Sequence, residues 1–400
     1  MNTERRPGSR RIALAVAVAG GLALAAGGVW LALSARPFTV AVVGLSDAEL
    51  EAYSVLFPAG HRVIRIAAAE AGAERLGALR ADCVLAWRGL PASALSVRAQ
   101  PVPSALLDAV PPSLNAGLRR DDGTVAGMPL QLDHFSLYWD AERFASLGLP
   151  EPGSRAALES ALAAYDDPVG PAMLFAGGDD ETLLSVLSAL CLSSLGAAGY
   201  DRAAEALAGE ASFDAAMDRP IGAYADGREA SLRSAAREII AWRDAGRLHP
   251  DWWNLTESDV KAFLEKGYGF AVLGTLAFRR SVDYQSIYRF KTLRFPGAGD
   301  SMLAPVLALY LSPRASMKDE ASAVLAAASD PETAYSLATA TGRATALSAA
   351  RAPDVQAADL LSWAAGSGSL RNGLYRDAFS EPLEAAAFAA ALRDWLRSGD

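Results

Sequence analysis

Three histidines, at positions 61, 134 and 249, are scattered along the chain, and none belongs to a His-Glu-x-x-His pair. No Gly-x-Ser-x-Gly elbow presents a nucleophilic serine. Carboxylates can be paired on paper, but no motif selects one as acid and another as base. Asp179, Asp180 and Glu181 form a three-acid run that could suggest a metal, yet they open the apolar stretch "TLLSVLSAL". Acids at that position are more simply read as partners of a helix N-terminal dipole. No metal or cofactor is expected, and nothing here selects a reaction, so the chain is expected not to be an enzyme.

One stretch stands out for its pattern. In "GMPLQLDHFSLYWD", Leu130 and Leu132 are apolar at even positions, whereas Phe135, Leu137 and Trp139 are apolar at odd positions. Strand side chains alternate faces with period two, so the buried face must switch at the Asp133-His134 pair. The segments around it alternate in type. "FTVAVVG", "HRVIRIAAA" and "DCVLAW" read as strands separated by short helical patterns, the first capped by Ser46. That alternation predicts a parallel sheet covered by helices. Residues 156 to about 247 are mostly helical, interrupted by the apolar run "PAMLFAGG". "YGFAVLGT" and "SMLAPVLALYLSP" are further extended runs, and the last ninety or so residues are Ala-rich helices broken at "TGRATALS". No repeat or long linker separates independent domains.

At 400 residues, two cores are the natural expectation. A chain 52% hydrophobic and 21% charged has ample material to bury both. The first 36 residues carry five Arg against one Glu, so a net charge of −9 leaves −13 on the remainder. Such an acidic body repels phosphate backbones, and no nucleic-acid partner is expected. Arg5, Arg6, Arg10 and Arg11 precede an uncharged run from Ile12 to Leu33, long enough to span a bilayer. The basic flank, residues 1–11, places the N-terminus in the cytoplasm and the body outside. Residues 12–34 are expected as an uncleaved transmembrane helix in preference to a removed signal peptide, and no Cys follows to take a lipid. Cys83 and Cys191 could pair in an exported body, but each lies in an apolar segment and is expected as a small buried hydrophobe.

"DDGTVAGMPLQLDHFSLYWDAERFASLGLPEPGS" resembles the central signature of bacterial extracellular solute-binding proteins of ABC importers, in the carbohydrate-binding, maltose-binding-protein-like branch of family 1. "FLEKGYGFAVLGTLAF" and "DPETAYSLATATGRATALSAA" are similar to two later blocks of that family, with "AGRLHPD" between them, so the resemblance covers residues 38–400. It implies an α/β, two-lobe periplasmic-binding-protein-like fold of type II, with discontinuous lobes and an interlobe cleft. The lobes are expected at 38–132 plus 308–342 and at 136–302 plus 348–400. Crossings are expected near 133–135, 303–307 and 343–347, which would explain the switch of buried face at Asp133.

The resemblance further implies ligand groups. Asp133 would meet sugar hydroxyls at the crossing, unless it caps a backbone N–H there instead. Trp87, at a strand end where ligands gather, would stack on a sugar ring, with Arg88 as a donor. His134 is a weaker candidate. The loop holding Gly177, Gly178 and Asp179 would let backbone approach ligand, as would the helix start at Gly274 and Thr275. Phe278 stands near the position where the family carries a Trp, and Leu276 occupies that position itself. Trp252 and Trp253, after "HP", are expected to pack rather than bind. The implied function is a monomeric receptor that delivers a small molecule, a sugar, to an ABC permease of the inner membrane. It would be exported to the periplasm or outer face of that membrane. The alternative is a degenerate anchored relative acting as a sensor or partner-binding subunit without transport.

Overall fold

The computed structural model describes residues 37–166, 170–313 and 318–399. The expected basic flank and anchor, residues 1–34, lie outside them.

Strands β1 (Thr39–Val43), β2 (Arg62–Ile66) and β3 (Cys83–Trp87) run parallel, with helices between them. The helix after β1, Asp47–Tyr53, begins at a capping box. The Ser46 hydroxyl accepts the Glu49 N–H, while the Glu49 carboxylate takes the Ser46 N–H. β1, "TVAVV", is buried throughout because both faces of its sheet are covered. Val40, Val42 and Leu85 join one apolar cluster, and Ala41, Val84 and Ala86 join another on the opposite face.

β4 (Met128–Leu132) belongs to the same sheet, but β5 (Ser136–Asp140) belongs to another. The change of phase in the sequence is a change of core. Leu130 and Leu132 pack with β1 and β3, whereas Phe135, Leu137 and Trp139 pack in a second, separate cluster. That second sheet is completed by β6 (Met173–Leu174), β9 (Ala271–Gly274) and β10 (Phe290–Arg294), in the order β10-β5-β9-β6. Between β6 and β9 stands a two-stranded hairpin of β7 (Pro220–Ala223) and β8 (Glu229–Ser231).

The helical segment Asp180–Gly209 fills the second core with Leu183, Leu184, Leu187 and Leu190. It is the one helix among the described residues long and apolar enough to cross a membrane, but it is largely packed inside the protein. Gly196 breaks it with φ 66° and ψ −170°, a conformation only glycine takes without strain.

The chain returns through β11 (Ser301–Leu303) into β12 (Val306–Leu311), which inserts antiparallel between β3 and β4, and β13 (Ala344–Thr345) closes that sheet's edge. The first sheet is therefore six-stranded, in the order β13-β4-β12-β3-β1-β2. The two passages between sheets lie side by side, since the Asp133 N–H donates to Pro305 O at 3.0 Å and the Phe135 N–H to Leu303 O at 3.1 Å.

The third passage is not at 343–347. Ala344, Ala346 and Leu347 stay in the first core, and the helix Val355–Gly366 packs there through Ala357, Leu360 and Ala364. Ala344 and Thr345 pair with Leu132 and Gln131 of β4, so this break in helical pattern is an edge strand of the first sheet. The chain leaves only at β14 (Ser369–Arg371), which pairs parallel with β11. Its last helices, Leu374–Asp377 and Pro382–Ser398, and the turn between them add Leu374, Phe379, Leu392 and Leu396 to the second core. Both cores are thus complete within the described residues. Cys83 lies in the first and Cys191 in the second, each buried and unbridged.

Candidate functional site

The carboxyl ends of β1 and β3 point at the second lobe, as strand ends do where open sheets take ligands. A cavity of about 100 Å³ lies there. Gly44, Trp87 and Arg88 line it from the first lobe, and Glu181, Tyr375 and Arg376 from the second. Ligand pockets usually measure ~300 Å³ or more, so the lobes are drawn close together at this point. The Ala73 N–H donates to Ser380 O at 3.0 Å across the gap. Gly89, at φ 146°, permits the approach, because a Cβ there would stand 2.6 Å from the Arg376 carbonyl oxygen.

The Trp87 indole is partly exposed and carries two guanidiniums. Arg343 Cζ lies 4.9 Å and Arg376 Cζ 5.0 Å from its ring centroid, both within cation–π range. Each arginine has a carboxylate partner. Arg376 Nη2 donates to Glu181 at 2.7 and 2.9 Å, and Arg343 pairs with Glu49. The site thus presents an aromatic face flanked by paired donors and acceptors, the group set that neutral polyhydroxylated rings need.

One oxygen of Asp133 is engaged by the protein. Its Oδ1 accepts N–H bonds from Leu276 at 2.7 Å and His134 at 2.8 Å, with Ala277 at 3.4 Å, and Arg343 Nε stands 3.9 Å from Oδ2. Burial pushes the carboxyl above the usual range, opposed by Arg343 and these N–H donors. Gly274 and Thr275 serve this contact. Thr275 caps the helix Leu276–Ser281 by accepting the Phe278 N–H at 3.1 Å, which leaves the Leu276 N–H for Asp133. Behind Asp133, Gln131 accepts hydroxyl bonds from Tyr53 and from Thr341, the latter at 3.0 Å.

Trp87, Asp133, Gly274 and Thr275 therefore come together where the lobes meet, and the side chains of the remaining candidates are taken up by bonds or packing within the protein. Arg88 touches the cavity, but its guanidinium ties β3 to the third passage through Asn372 Oδ1 at 2.9 Å and Leu370 O at 3.0 Å. His134 bonds Ser136 and meets Trp363 edge-on at 5.7 Å. Burial, then Arg294, lowers its pKa to about 3 and keeps it neutral. Phe278 packs in the second lobe against Gly274. Gly177 and Gly178 give their carbonyls to Arg393 at 2.9 and 3.1 Å. Added Cβ atoms there would stand 2.5 Å from Trp252 O and 2.8 Å from Asn254 O. Trp252 is buried on Phe175. Asp180 pairs with Arg393 at 2.8 Å and Glu181 with Arg376, while Asp179 accepts the Glu257 N–H at 3.2 Å. Glu257 lies partly open to solvent. Desolvation, then the charges of Asp179, Asp133 and Glu181, raises its carboxyl to about 7.

Sequence reading passed over Glu49, Glu257, Arg343, Tyr375 and Arg376, and took Glu181 only as a partner of a helix dipole. Glu49 was hidden by its helix-capping role, and Arg343 sat unremarked within "TGRATALS". Nothing local to Arg376 marks it, because its position depends on a passage near residue 370 that the pattern does not signal.

No protein-family model matches the sequence, and no curated relative is found. Solved structures do match. The bacterial solute receptor AcbH, described as exclusively preferring β-D-galactopyranose, aligns at TM-score 0.69 and 13% identity, covering 91% of this chain and 99% of its own. A binding protein of Bacillus subtilis in an open conformation aligns at TM-score 0.71 and 12% identity, over 90% and 93% of the two chains. The solute-binding protein RafE in complex with raffinose aligns at TM-score 0.65 and 16% identity, over 90% and 95%. At these identities the likeness is one of fold, and the fold of residues 37–399 is that of the bacterial solute-binding proteins.

Proposed function

We propose that the protein is an extracytoplasmic receptor of an ABC importer that holds a carbohydrate between its lobes and acts without a catalytic step. The observation that carries this reading is the interlobe cavity at the strand ends, where the Trp87 indole of one lobe faces the Glu181–Arg376 pair of the other. An indole supplies a flat apolar surface for a sugar ring, and the Glu49–Arg343 pair beside it can both accept from and donate to the ring's hydroxyls. The neighbours of the same fold include receptors described with galactopyranose and raffinose. In this reading the three passages form the hinge, and a bound sugar bridges the two lobes as they rotate together. The body is exported as a monomer, tethered by residues 12–34, and its protein partner is the permease.

Thermal unfolding of residues 37–400 against monosaccharides, oligosaccharides, amino acids and polyamines tests the reading. A sugar at a hundred times its Kd adds about 2.7 kcal/mol, a shift of several degrees. A response confined to amino acids or polyamines would move the ligand class, and silence across the whole panel would overturn the receptor reading in favour of a subunit that binds a protein partner.

A further inference from the structure

The two guanidiniums on Trp87 differ in origin. Arg343 belongs to the same lobe as the indole and is pinned by Glu49 and Asp133. Arg376 reaches over from the second lobe, held by both oxygens of Glu181. We propose that Arg376 is a gate: its guanidinium lies on the indole surface where a sugar ring would stack, so that ring and guanidinium compete for one place. This rests on the reading that Trp87 belongs to the sugar site.

The bonds that hold the gate shut are all between protein groups. On the Trp87 side they are the stacking of Arg376 and the Ala73–Ser380 backbone bond. On the other flank Arg280 Nη2 donates to Asp354 at 2.7 Å and Nη1 to Arg343 O at 3.3 Å, while Arg279 bonds Gln356. In this proposal these contacts hold the lobes together before a sugar arrives, and a sugar must first win Trp87 from Arg376. Apparent affinity is then reduced by the fraction of molecules that are open.

Two measurements on residues 37–400 test this. The first is small-angle X-ray scattering without sugar. The wild-type body should scatter as the closed arrangement described above, and Arg376→Ala should increase its radius of gyration. Glu181→Gln, which loosens the guanidinium without deleting it, should fall between. Circular dichroism confirms that each variant is folded. A wild type already more extended than the closed structure, or an Arg376→Ala variant of unchanged size, overturns the gate.

The second is calorimetry with D-galactose, maltose and raffinose. A sugar that binds the wild type should bind Arg376→Ala more tightly, by about tenfold if one molecule in ten is open at rest. Weaker binding would instead make Arg376 a sugar contact and overturn the gate. If none of the three binds either protein, scattering still decides the gate, and only the sugar reading loses support.

Discussion

The ends of β3 and β6 look alike in sequence and are opposites in the structure. Each closes an apolar strand, and each brings residues able to meet a ligand to its end, Trp87-Arg88 in one case and Gly177-Gly178-Asp179 in the other. β3 lies inside its sheet between β1 and β12, and its end faces the other lobe across a cavity. β6 is a two-residue edge strand, and the segment around Trp252 and Asn254 folds over its end. A strand end is available to a ligand only if its own lobe leaves it uncovered. An edge strand followed by a long excursion of chain invites that chain to cover it.

Substitutions can break or sharpen this contrast. The largest effect is expected at the covered end. Gly178→Ala would force a Cβ to within 2.9 Å of two backbone carbonyl oxygens, those of Asn254 and Leu255, which cannot move independently. A loss of about 3 kcal/mol in denaturant unfolding is expected, with sugar binding unchanged in the folded fraction. A near-neutral result would mean that the loop opens readily and that the two ends are alike after all. At the uncovered end, Trp87→Leu should do the reverse. Sugar affinity falls by about 2 kcal/mol, read by calorimetry, while the melting temperature scarcely moves.

Asp133 lies between these extremes. Asp133→Asn keeps an oxygen for the Leu276 N–H but removes the charge facing Arg343, and should cost about 1 kcal/mol of stability. Asp133→Ala, by leaving the Leu276 and His134 N–H groups without their acceptor, should cost about 2 kcal/mol. A loss of binding in the alanine variant is therefore meaningful only beside the asparagine one.

Two effects appear only when the pH is changed. His134 has a native pKa near 3 against an ordinary 6.5, so between those values the unfolded chain holds more protons. Its contribution to stability rises from about pH 3 to about pH 6.5 and is lost on acidification. Glu257 has the opposite sign, since a native value near 7 against 4.5 makes the folded state hold the extra proton, and stability falls as pH rises through that window. Urea titrations across pH should flatten in opposite senses for His134→Gln and Glu257→Gln, the second weakly because its side chain is partly open to solvent.

The architecture was legible where period-two patterning was clean. The even-to-odd shift at Asp133 marks a real change of core, because a strand buried on one face records which face that is. The third passage was illegible, since β14 is three residues long and lies between helices whose alanines pack equally well on either lobe. Trp87 was readable from its place at a strand end. Arg376, which meets it, was not, because their meeting depends on lobe assembly rather than local pattern. The role of Asp133 as a receiver of backbone N–H bonds follows from the helix at Leu276, far away in sequence.

That late third passage also governs when the molecule can assemble. The second core begins at Phe135 and is not closed until Leu392 and Leu396 are in place. The first needs Leu360 and Ala364 from the other end of the chain. During synthesis neither half can be finished early and set aside, and every nascent form exposes an unfinished apolar face until Leu396 is made. Pairings so distant along the chain are slow to form. A chain cut after β14 would therefore lose the closing wall of its second core as well as Arg376, and should be recognised as misfolded rather than persist as a receptor with a weakened site.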